Sequence, residues 1–137
     1  MTKSLNIFLI EDDKIEVMKL NRTISSLNLN HNITEANNGE DALKILESKD
    51  KLPDIILLDL NMPKINGLEF LETLKADDVL RYIPTIILTT SSNKKDLLEC
   101  YKLGIAGYVL KPLTYEDYVL KMGKILNYWS INELILR

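Results

Sequence analysis

The sequence predicts an α/β fold in which helices cover both faces of a doubly wound, five-stranded parallel sheet. Four short runs rich in Ile, Leu and Val lack polar alternation, which is typical of strands covered on both faces. They lie at residues 5–10, 55–60, 85–90 and 107–110, and a weaker run lies at about 32–36. Short links join these runs to segments with helical apolar spacing. This alternation favours right-handed connections in a doubly wound sheet.

Five apolar stripes predict the helices. Within each stripe, apolar residues recur at the spacing of one helix face. The stripes are Val17, Leu20, Ile24 and Leu27; Ala42, Leu43, Ile45 and Leu46; Leu68, Phe70, Leu71 and Leu74; Leu97, Leu98, Tyr101 and Leu103; and Tyr118, Val119, Met122, Ile125, Leu126 and Trp129. We therefore expect five amphipathic helices, each burying its apolar side.

Turn-forming residues indicate several boundaries of these elements. Asn38-Gly39 is expected to open the second helix and Asn66-Gly67 the third, while Gly104 closes the fourth, where a left-handed cap is easiest for glycine. Pro53 and Pro84 stand just before predicted strands, where a missing N–H donor matters least.

The composition is that of an ordinary globular domain. The 137 residues suffice for one domain, and no second domain is expected. Charged residues make up 27% and the net charge is −3, so nucleic acid is not expected as a direct partner. The single cysteine excludes an internal disulfide, no stretch is long and apolar enough to span a membrane, and residues 1–10 lack a signal-peptide pattern. These features predict a cytoplasmic protein.

Acidic residues follow two of the predicted strands. Glu11, Asp12 and Asp13 come directly after the first run, and Asp59 stands near the end of the run at 55–60. Ligands of doubly wound sheets bind beyond the carboxyl ends of the strands, so we expect the acids to meet there. Two such charges 4 Å apart repel by about 4 kcal/mol at an effective dielectric constant near 20.

A divalent cation would remove this repulsion. Mg²⁺ suits the predicted pocket because it takes few carboxylates, keeps waters and leaves positions open for phosphate oxygens. The alternative interpretation of Glu11-Asp12-Asp13 is a helix N-terminus, where acids cap free N–H groups and favour the helix dipole. That alternative is the better account of Asp13 alone, but not of the whole acidic set.

Two further strand ends supply a hydroxyl and an amine. Thr89 ends the fourth run, and Lys111 follows the fifth. Either residue alone is weak support, since Thr89 could simply end a strand and Lys111 could be a solvated lysine before a loop proline. Together with an aspartate nucleophile and a metal, they are the groups that a phosphoryl transfer needs to neutralise charge and align the acceptor oxygen.

Over residues 5 to about 128, the sequence resembles the response-regulator receiver domain of two-component signalling. The matching residues are Glu11-Asp12, Asp59 with Asn61-Met62-Pro63 and Gly67, Thr89, and Gly107-Tyr108-Val109-Leu110-Lys111-Pro112. The resemblance implies a flavodoxin-like (βα)5 fold with strand order 2-1-3-4-5, and usually a cis peptide before the residue at Pro112. Glu11 replaces the commoner first aspartate but still offers a carboxylate.

The resemblance also implies a metal site and a phosphoacceptor. Asp59 would accept the phosphoryl group, and Mg²⁺ would be held by Glu11, Asp12, Asp59 and the backbone carbonyl of Asn61. Mn²⁺ or Ca²⁺ would be substitutes for Mg²⁺. Such a protein is a phosphorelay signalling protein that catalyses its own phosphorylation and the hydrolysis of its aspartyl phosphate, and it is not an enzyme in the usual sense.

The remaining implied roles concern switching. Thr89 would bond one phosphoryl oxygen, Lys111 would pair with another, and Tyr108 would report the phosphorylation state through its rotamer. The face formed by helix 4, strand 5 and helix 5 would then change for partner binding.

Within the family, three segments are similar to the stand-alone regulators that accompany bacterial phytochromes. They are Leu88-Thr89-Thr90-Ser91-Ser92, Cys100-Tyr101-Lys102-Leu103-Gly104 and Tyr128-Trp129. The expected phosphodonor is therefore a sensor histidine kinase, with a phytochrome-type kinase as one option, or a histidine phosphotransfer protein. The downstream target is not indicated.

Three other functions compete with this interpretation. A phosphatase of the haloacid dehalogenase type needs a second acid two residues after its aspartate nucleophile, where this chain has Asn61. An FMN carrier of flavodoxin type needs hydroxyls and N–H groups after the first strand, where acids would repel the phosphate. A degenerate receiver would bind proteins without phosphorylation, although every expected site residue is present here.

The chain is divided into a receiver domain at residues 1–128 and an apolar extension of the last helix at 129–137. The apolar residues of this tail are Trp129, Ile131, Leu134, Ile135 and Leu136. Single domains seldom expose so much apolar surface. The tail could fold back over helix 5 or the sheet edge, or it could form a homodimer contact through helix 5, which the resemblance favours. Elsewhere, Cys100 is expected to be packed in the fourth helix and His31 to lie on a surface loop.

Overall fold

Strands and helices alternate along the chain in the computed structural model, which describes residues 3–62 and 66–135. The strands are β1 (Asn6–Ile10), β2 (Asn32–Ala36), β3 (Ile55–Leu58), β4 (Thr85–Thr89) and β5 (Gly107–Leu110). The helices are α1 (Lys14–Ser26), α2 (Gly39–Glu47), α3 (Gly67–Ala76), α4 (Lys94–Lys102) and α5 (Tyr115–Ser130), with a 3₁₀ turn at Leu80–Tyr82. None of the helices in this part of the chain is both long and apolar enough to cross a lipid bilayer.

The five strands are all parallel and lie in the order β2-β1-β3-β4-β5, which confirms the predicted fold. The apolar run at 55–60 is longer than β3, which ends at Leu58, so Asp59 stands just beyond the strand. No cis peptide bond occurs among the described residues, so the bond before Pro112 is trans, contrary to the resemblance. The trans isomer is intrinsically favoured by about 0.5–1 kcal/mol.

Side chains of the central strands alternate between two cores, one on each face of the sheet. Ile56 and Leu58 of β3 pack with α2 and α3, whereas Ile55 and Leu57 pack with α1 and α5. All four side chains are fully buried. Period-2 alternation with apolar residues on both faces is why the strand appears in the sequence as an unbroken apolar run. The rigid sheet holds every strand end in a fixed place.

A polar side chain caps the start of each α-helix. The acceptors are Asp13 for Ile15 N–H at 2.9 Å, Asn38 for Asp41 at 2.9 Å, Asn66 for Glu69 at 3.0 Å, Asn93 for Lys95 at 2.8 Å and Thr114 for Asp117 at 3.2 Å. Such caps satisfy N–H groups that lack a partner within the helix. The interpretation of Asp13 as a helix cap is therefore confirmed, as are the predicted starts of α2 and α3. Gly104, with φ +89°, follows α4 as expected.

Of the apolar stripe predicted for α4, Leu103 packs against the core, but the other three residues are exposed, contrary to the prediction. Leu97, Leu98 and Tyr101 are 37%, 55% and 52% exposed, while Cys100 is completely buried in the core, as expected. Burial, together with the charges of Asp96 and Glu99, raises the pKa of the Cys100 thiol to about 11. The nine-residue helix meets the core along a narrow line centred on the cysteine, so its larger apolar residues face outward.

His31 lies in the loop before β2, as expected, but it is less exposed than a surface position. The ring is partly buried, and its Nδ1 accepts a hydrogen bond from Leu5 N–H at 2.9 Å. The sequence shows only a histidine between asparagines, whereas the N–H group before β1 needs an acceptor. Burial lowers the pKa of His31 because the charged imidazolium loses solvent.

Helix α5 ends at Ser130, and the described part of the tail turns back onto the amino ends of the strands. Ser130 C=O accepts a hydrogen bond from Lys3 N–H at 3.0 Å, and the Lys3 ammonium contacts Glu133 at 3.0 Å. Leu134 packs against the core beneath α1 and α5. This arrangement is the fold-back alternative, and residue Leu136 lies outside the described residues.

We expect Gly67→Ala to destabilise the protein by about 2 kcal/mol, a typical cost of overpacking. A methyl group at this first residue of α3 would lie 2.6 Å from the Leu60 Cα and 2.8 Å from the Asp59 carbonyl oxygen. Neither backbone atom can move without shifting the segment after β3. The matched control is Gly107→Ala, whose methyl group meets only Ile86 at 3.8 Å. Urea denaturation checks this, and equal midpoints for the two variants would contradict it.

A second prediction concerns acid stability. Because the folded-state pKa of His31 is below its ordinary 6.5, the unfolded chain binds the proton more readily, and this contribution to stability is full above pH 6.5 and lost as the pH falls. His31→Asn keeps an acceptor near Nδ1 without titrating. We expect the variant to lose less stability than the unchanged chain between about pH 7.5 and about pH 5.5. If urea denaturation gave the two proteins the same pH dependence of the free energy of unfolding, the lowered pKa assigned to His31 would be refuted.

Candidate functional site

The carboxyl ends of β1, β3 and β5 bring two acids and a lysine together. Glu11, Asp59 and Lys111 each follow one of these strands, and their backbone N–H groups continue the sheet hydrogen bonds to Ala36, Ile10 and Thr89. The Lys111 ammonium lies 2.7 Å from Glu11 Oε2 and 4.0 Å from Asp59 Oδ1. The three side chains are only 4–8% exposed. The sheet ladder therefore fixes the positions of all three groups.

Asp12 adds a third carboxylate to this cluster. Carboxylate oxygens of Glu11, Asp12 and Asp59 all lie within 4.8 Å of one another. Glu11 and Asp59 are buried, whereas Asp12 is exposed and lines an open cleft of about 490 Å³ together with Asn61. A compact set of oxygen ligands beside an open cleft fits a hard divalent cation that keeps some of its waters. Asn61 also donates its backbone N–H to Asp59. Pro63 lies outside the described residues.

Burial and charge crowding oppose ionisation of the acids. Burial raises the pKa of Glu11 to about 7, with the charge of Asp59 adding to the effect and the Lys111 ammonium opposing it. Burial likewise raises the pKa of Asp59, although Lys111 partly offsets this. For Lys111 itself, burial lowers the pKa, but the hydrogen bond and charge of Glu11 outweigh that effect and leave it raised. One ammonium thus contacts two of the three clustered carboxylates, and added positive charge would stabilise the cluster.

Ser91 links Thr89 to Tyr108 through hydrogen bonds. Thr89 is completely buried at the end of β4, and its hydroxyl oxygen accepts a hydrogen bond from Ser91 N–H at 3.3 Å. The Tyr108 hydroxyl donates to the Ser91 carbonyl at 2.9 Å. The structure therefore ties both residues to the β4–α4 loop, and no hydrogen bond found among the described residues joins Thr89 to Asp59.

The sequence analysis assigns no chemical role to Ser91 or Asp96. The Ser91 hydroxyl donates to Asp96 Oδ2 at 3.1 Å, and Asp96 lines the same cleft as Asp12 and Asn61. The hydroxyl run after β4 is visible in the sequence. The sequence does not predict the path of the loop before Asp96, so it does not show that this residue reaches the cleft. The only signal in the sequence is its position three residues after the helix cap Asn93.

A family model described as the response regulator receiver domain matches residues 7–122. The chain belongs to this family. Membership excludes the phosphatase and FMN-carrier alternatives. Among curated proteins, the probable methanogenesis regulatory protein FilR2 of Methanothrix harundinacea is 35% identical over 127 residues, which are 90% of this chain and 82% of the relative.

Two solved structures of phytochrome-associated or related regulators are especially similar. The phosphorylated cyanobacterial phytochrome response regulator RcpA superimposes with a TM-score of 0.90 at 30% identity, over 96% of this chain and 99% of that one. The Mn²⁺-bound form of response regulator Rcp1 superimposes with a TM-score of 0.87 at 29% identity, over 95% and 98% of the two chains. The similarity to stand-alone phytochrome-associated regulators is thus confirmed.

We expect Asp59→Asn to stabilise the metal-free protein by about 1 kcal/mol, because it removes one of the crowded charges whose ionisation burial disfavours. Mg²⁺ should stabilise the unchanged chain more than the variant, since a bound ion stabilises only the fold that binds it. Thermal denaturation with and without Mg²⁺ measures both effects. Asp13→Asn, which keeps the α1 cap, is the control. A destabilised Asp59→Asn protein would contradict the prediction.

Proposed function

We propose that this receiver domain accepts a phosphoryl group on Asp59, in the presence of Mg²⁺, from a sensor histidine kinase or a histidine phosphotransfer protein. The observation that carries the proposal is the convergence of Asp59, Glu11, Asp12 and Lys111 at one edge of the sheet. The product of this phosphoryl transfer is a signalling state of the protein and not a released metabolite. The proposal includes the cytoplasmic location predicted from the sequence.

In the proposed reaction, an Asp59 carboxylate oxygen attacks the phosphorus of phosphohistidine in line. The phosphorus–nitrogen bond breaks, its electron pair stays on the imidazole nitrogen, and an acyl phosphate forms. The Lys111 ammonium, 4.0 Å from Asp59 in the resting state, is close enough to pair with an equatorial phosphoryl oxygen. Water attack on the same phosphorus later breaks its bond to the Asp59 oxygen, which releases inorganic phosphate and regenerates the carboxylate.

Glu11, Asp12, Asp59 and the backbone carbonyl of Asn61 would hold the Mg²⁺. When bound, the ion supplies positive charge next to the phosphoryl oxygens. Oxygen donors within 4.8 Å of one another support this assignment, as does the Mn²⁺-bound structure of Rcp1. Mn²⁺ and Ca²⁺ are the proposed substitutes.

Switching would begin at Thr89. If its hydroxyl turns to bond a phosphoryl oxygen, it gives up the hydrogen bond from Ser91 N–H, and the loop that also accepts from Tyr108 is released. The surface of α4, β5 and α5 would change as a result. Leu97, Leu98 and Leu110 on α4 and β5 of this surface are exposed and available to a partner. Phosphorylation would shift a pre-existing equilibrium by its differential affinity for the two states.

The partner proposals rest on similarity and on exposed apolar surface. Likeness to RcpA and Rcp1 supports a phytochrome-type kinase as the phosphodonor. A homodimer through α5 and the tail remains a proposal, supported by the exposure of Leu120, Tyr128 and Ile131 on or next to α5. Light scattering tests the dimer, and the mass of a single chain across the accessible concentration range would exclude it.

We expect a phosphoryl mass adduct when the protein is mixed with acetyl phosphate and Mg²⁺. Asp59→Asn should form none, because an amide oxygen is a poor nucleophile and yields no acyl phosphate. Asp13→Asn is the control, since this neighbouring acid caps α1 and lies outside the acidic triad. Intact-protein mass spectrometry measures the adduct. Equal phosphorylation of Asp59→Asn would defeat the assignment of the acceptor.

A further inference from the structure

A fourth acid, Asp96, stands in the wall of the cleft beside the proposed phosphorylation site. The cleft of about 490 Å³ is lined by Asp12 after β1, by Asn61 after β3 and by Asp96 in the first turn of α4. Helix α4 thus contributes a carboxylate to a cleft that Asp12 also lines, and a carboxylate oxygen of Asp12 lies within 4.8 Å of one of Asp59.

A hydrogen bond holds the Asp96 carboxylate in place, and no ion pair within the described part of the chain neutralises it. The Ser91 hydroxyl donates to Asp96 Oδ2 at 3.1 Å and accepts from Asn93 N–H at 3.3 Å, which fixes the carboxylate against the β4–α4 loop. No ion pair between residues within 3–62 and 66–135 includes Asp96. Its negative charge therefore adds to that of the acidic triad.

An acid in the first turn of a helix is ordinarily explained by the helix dipole. A matched acid in α5 allows this contribution to be measured separately. Asp96 is the third residue of α4 after the cap Asn93, and Asp117 is the third residue of α5 after the cap Thr114. Acids in a first turn favour the helix dipole. Asp117 is exposed and does not line the cleft. Substituting it therefore changes the interaction with a helix dipole without changing the charge in the cleft.

We propose that Asp96 is a specificity-determining residue that selects phosphodonors by charge, favouring those with less negative charge near the phosphorus. The inference rests on the proposed function of Asp59. A fixed negative charge repels a dianion twice as strongly as a monoanion at the same distance. Salt screens such effects over a Debye length of about 8 Å at physiological ionic strength. A phosphohistidine flanked by cationic side chains would be favoured over a free acyl phosphate.

Two small phosphodonors separate charge from the rest of the chemistry. Acetyl phosphate is a dianion at neutral pH, and its phosphorus–oxygen bond breaks with the electron pair leaving on acetate. Phosphoramidate is a zwitterion with a net single negative charge, and its phosphorus–nitrogen bond breaks with the electron pair leaving on ammonia. Both reactions end in the same Asp59 acyl phosphate, so one mass measurement follows both.

The experiment compares rates of Asp59 phosphorylation by the two donors in the unchanged chain, Asp96→Asn and Asp117→Asn at fixed Mg²⁺. Asp96→Asn keeps an oxygen that can accept from Ser91. We expect it to raise the ratio of the acetyl phosphate rate to the phosphoramidate rate roughly threefold at low ionic strength. Asp117→Asn should leave the ratio unchanged. High salt should raise the ratio of the unchanged chain towards that of Asp96→Asn.

Several outcomes would overturn the proposal. An unchanged donor ratio in Asp96→Asn, with thermal denaturation showing a folded protein, excludes selection by charge. Ser91→Ala removes the hydrogen bond and keeps the charge, so a shift equal to that of Asp96→Asn would assign the effect to positioning instead. A donor ratio in the unchanged chain that does not respond to salt also excludes it. Absence of any adduct on the unchanged chain with either donor would instead refute the proposed function, and this inference with it.

Discussion

The contact between the Lys111 ammonium and the Glu11 carboxylate, 2.7 Å apart and almost out of solvent, is the interaction on which the site depends. Removing charges from water costs several kcal/mol for each ion, and the cost is offset only by a well-placed partner. The lysine follows the edge strand β5 and reaches past the ends of β4 and β3 to an acid that follows β1. A stable cluster of acids therefore requires β1, β3, β4 and β5 to be in register.

The same ammonium links the resting state to the proposed phosphorylated state. At rest it is shared between Glu11 and Asp59, and a phosphoryl group on Asp59 would attract it. Glu11 would then need another positive charge, which a divalent cation among the three acids would provide. In this scheme, Glu11 and the phosphoryl group on Asp59 compete for Lys111. A bound cation takes the place of Lys111 beside Glu11, so metal binding would favour phosphorylation and phosphorylation would favour metal binding. Helix caps and strand ladders keep the other groups fixed meanwhile.

Most of the fold and the members of the acidic cluster could be predicted from the sequence, because continuous apolar runs, helix-capping residues and strand-end acids are local patterns. What failed depends on contacts between distant segments. The exposure of Leu97 and Leu98 follows from how α4 meets the sheet. The role of His31 as an acceptor depends on a free N–H before β1. Asp96 enters the cleft only because the β4–α4 loop returns that helix to the edge where Asp12 lies.

The hydrogen bond from Lys3 N–H to Ser130 C=O places the first and last described segments side by side at the amino edge of the strands. The acidic cluster lies at the opposite edge, about 15 Å away for strands of four or five residues. Circular permutation is tolerated where the two segments to be joined lie together on the surface, remote from a site. A short linker between these segments would allow the chain to be reopened in a surface loop, with the strand order and the cleft retained.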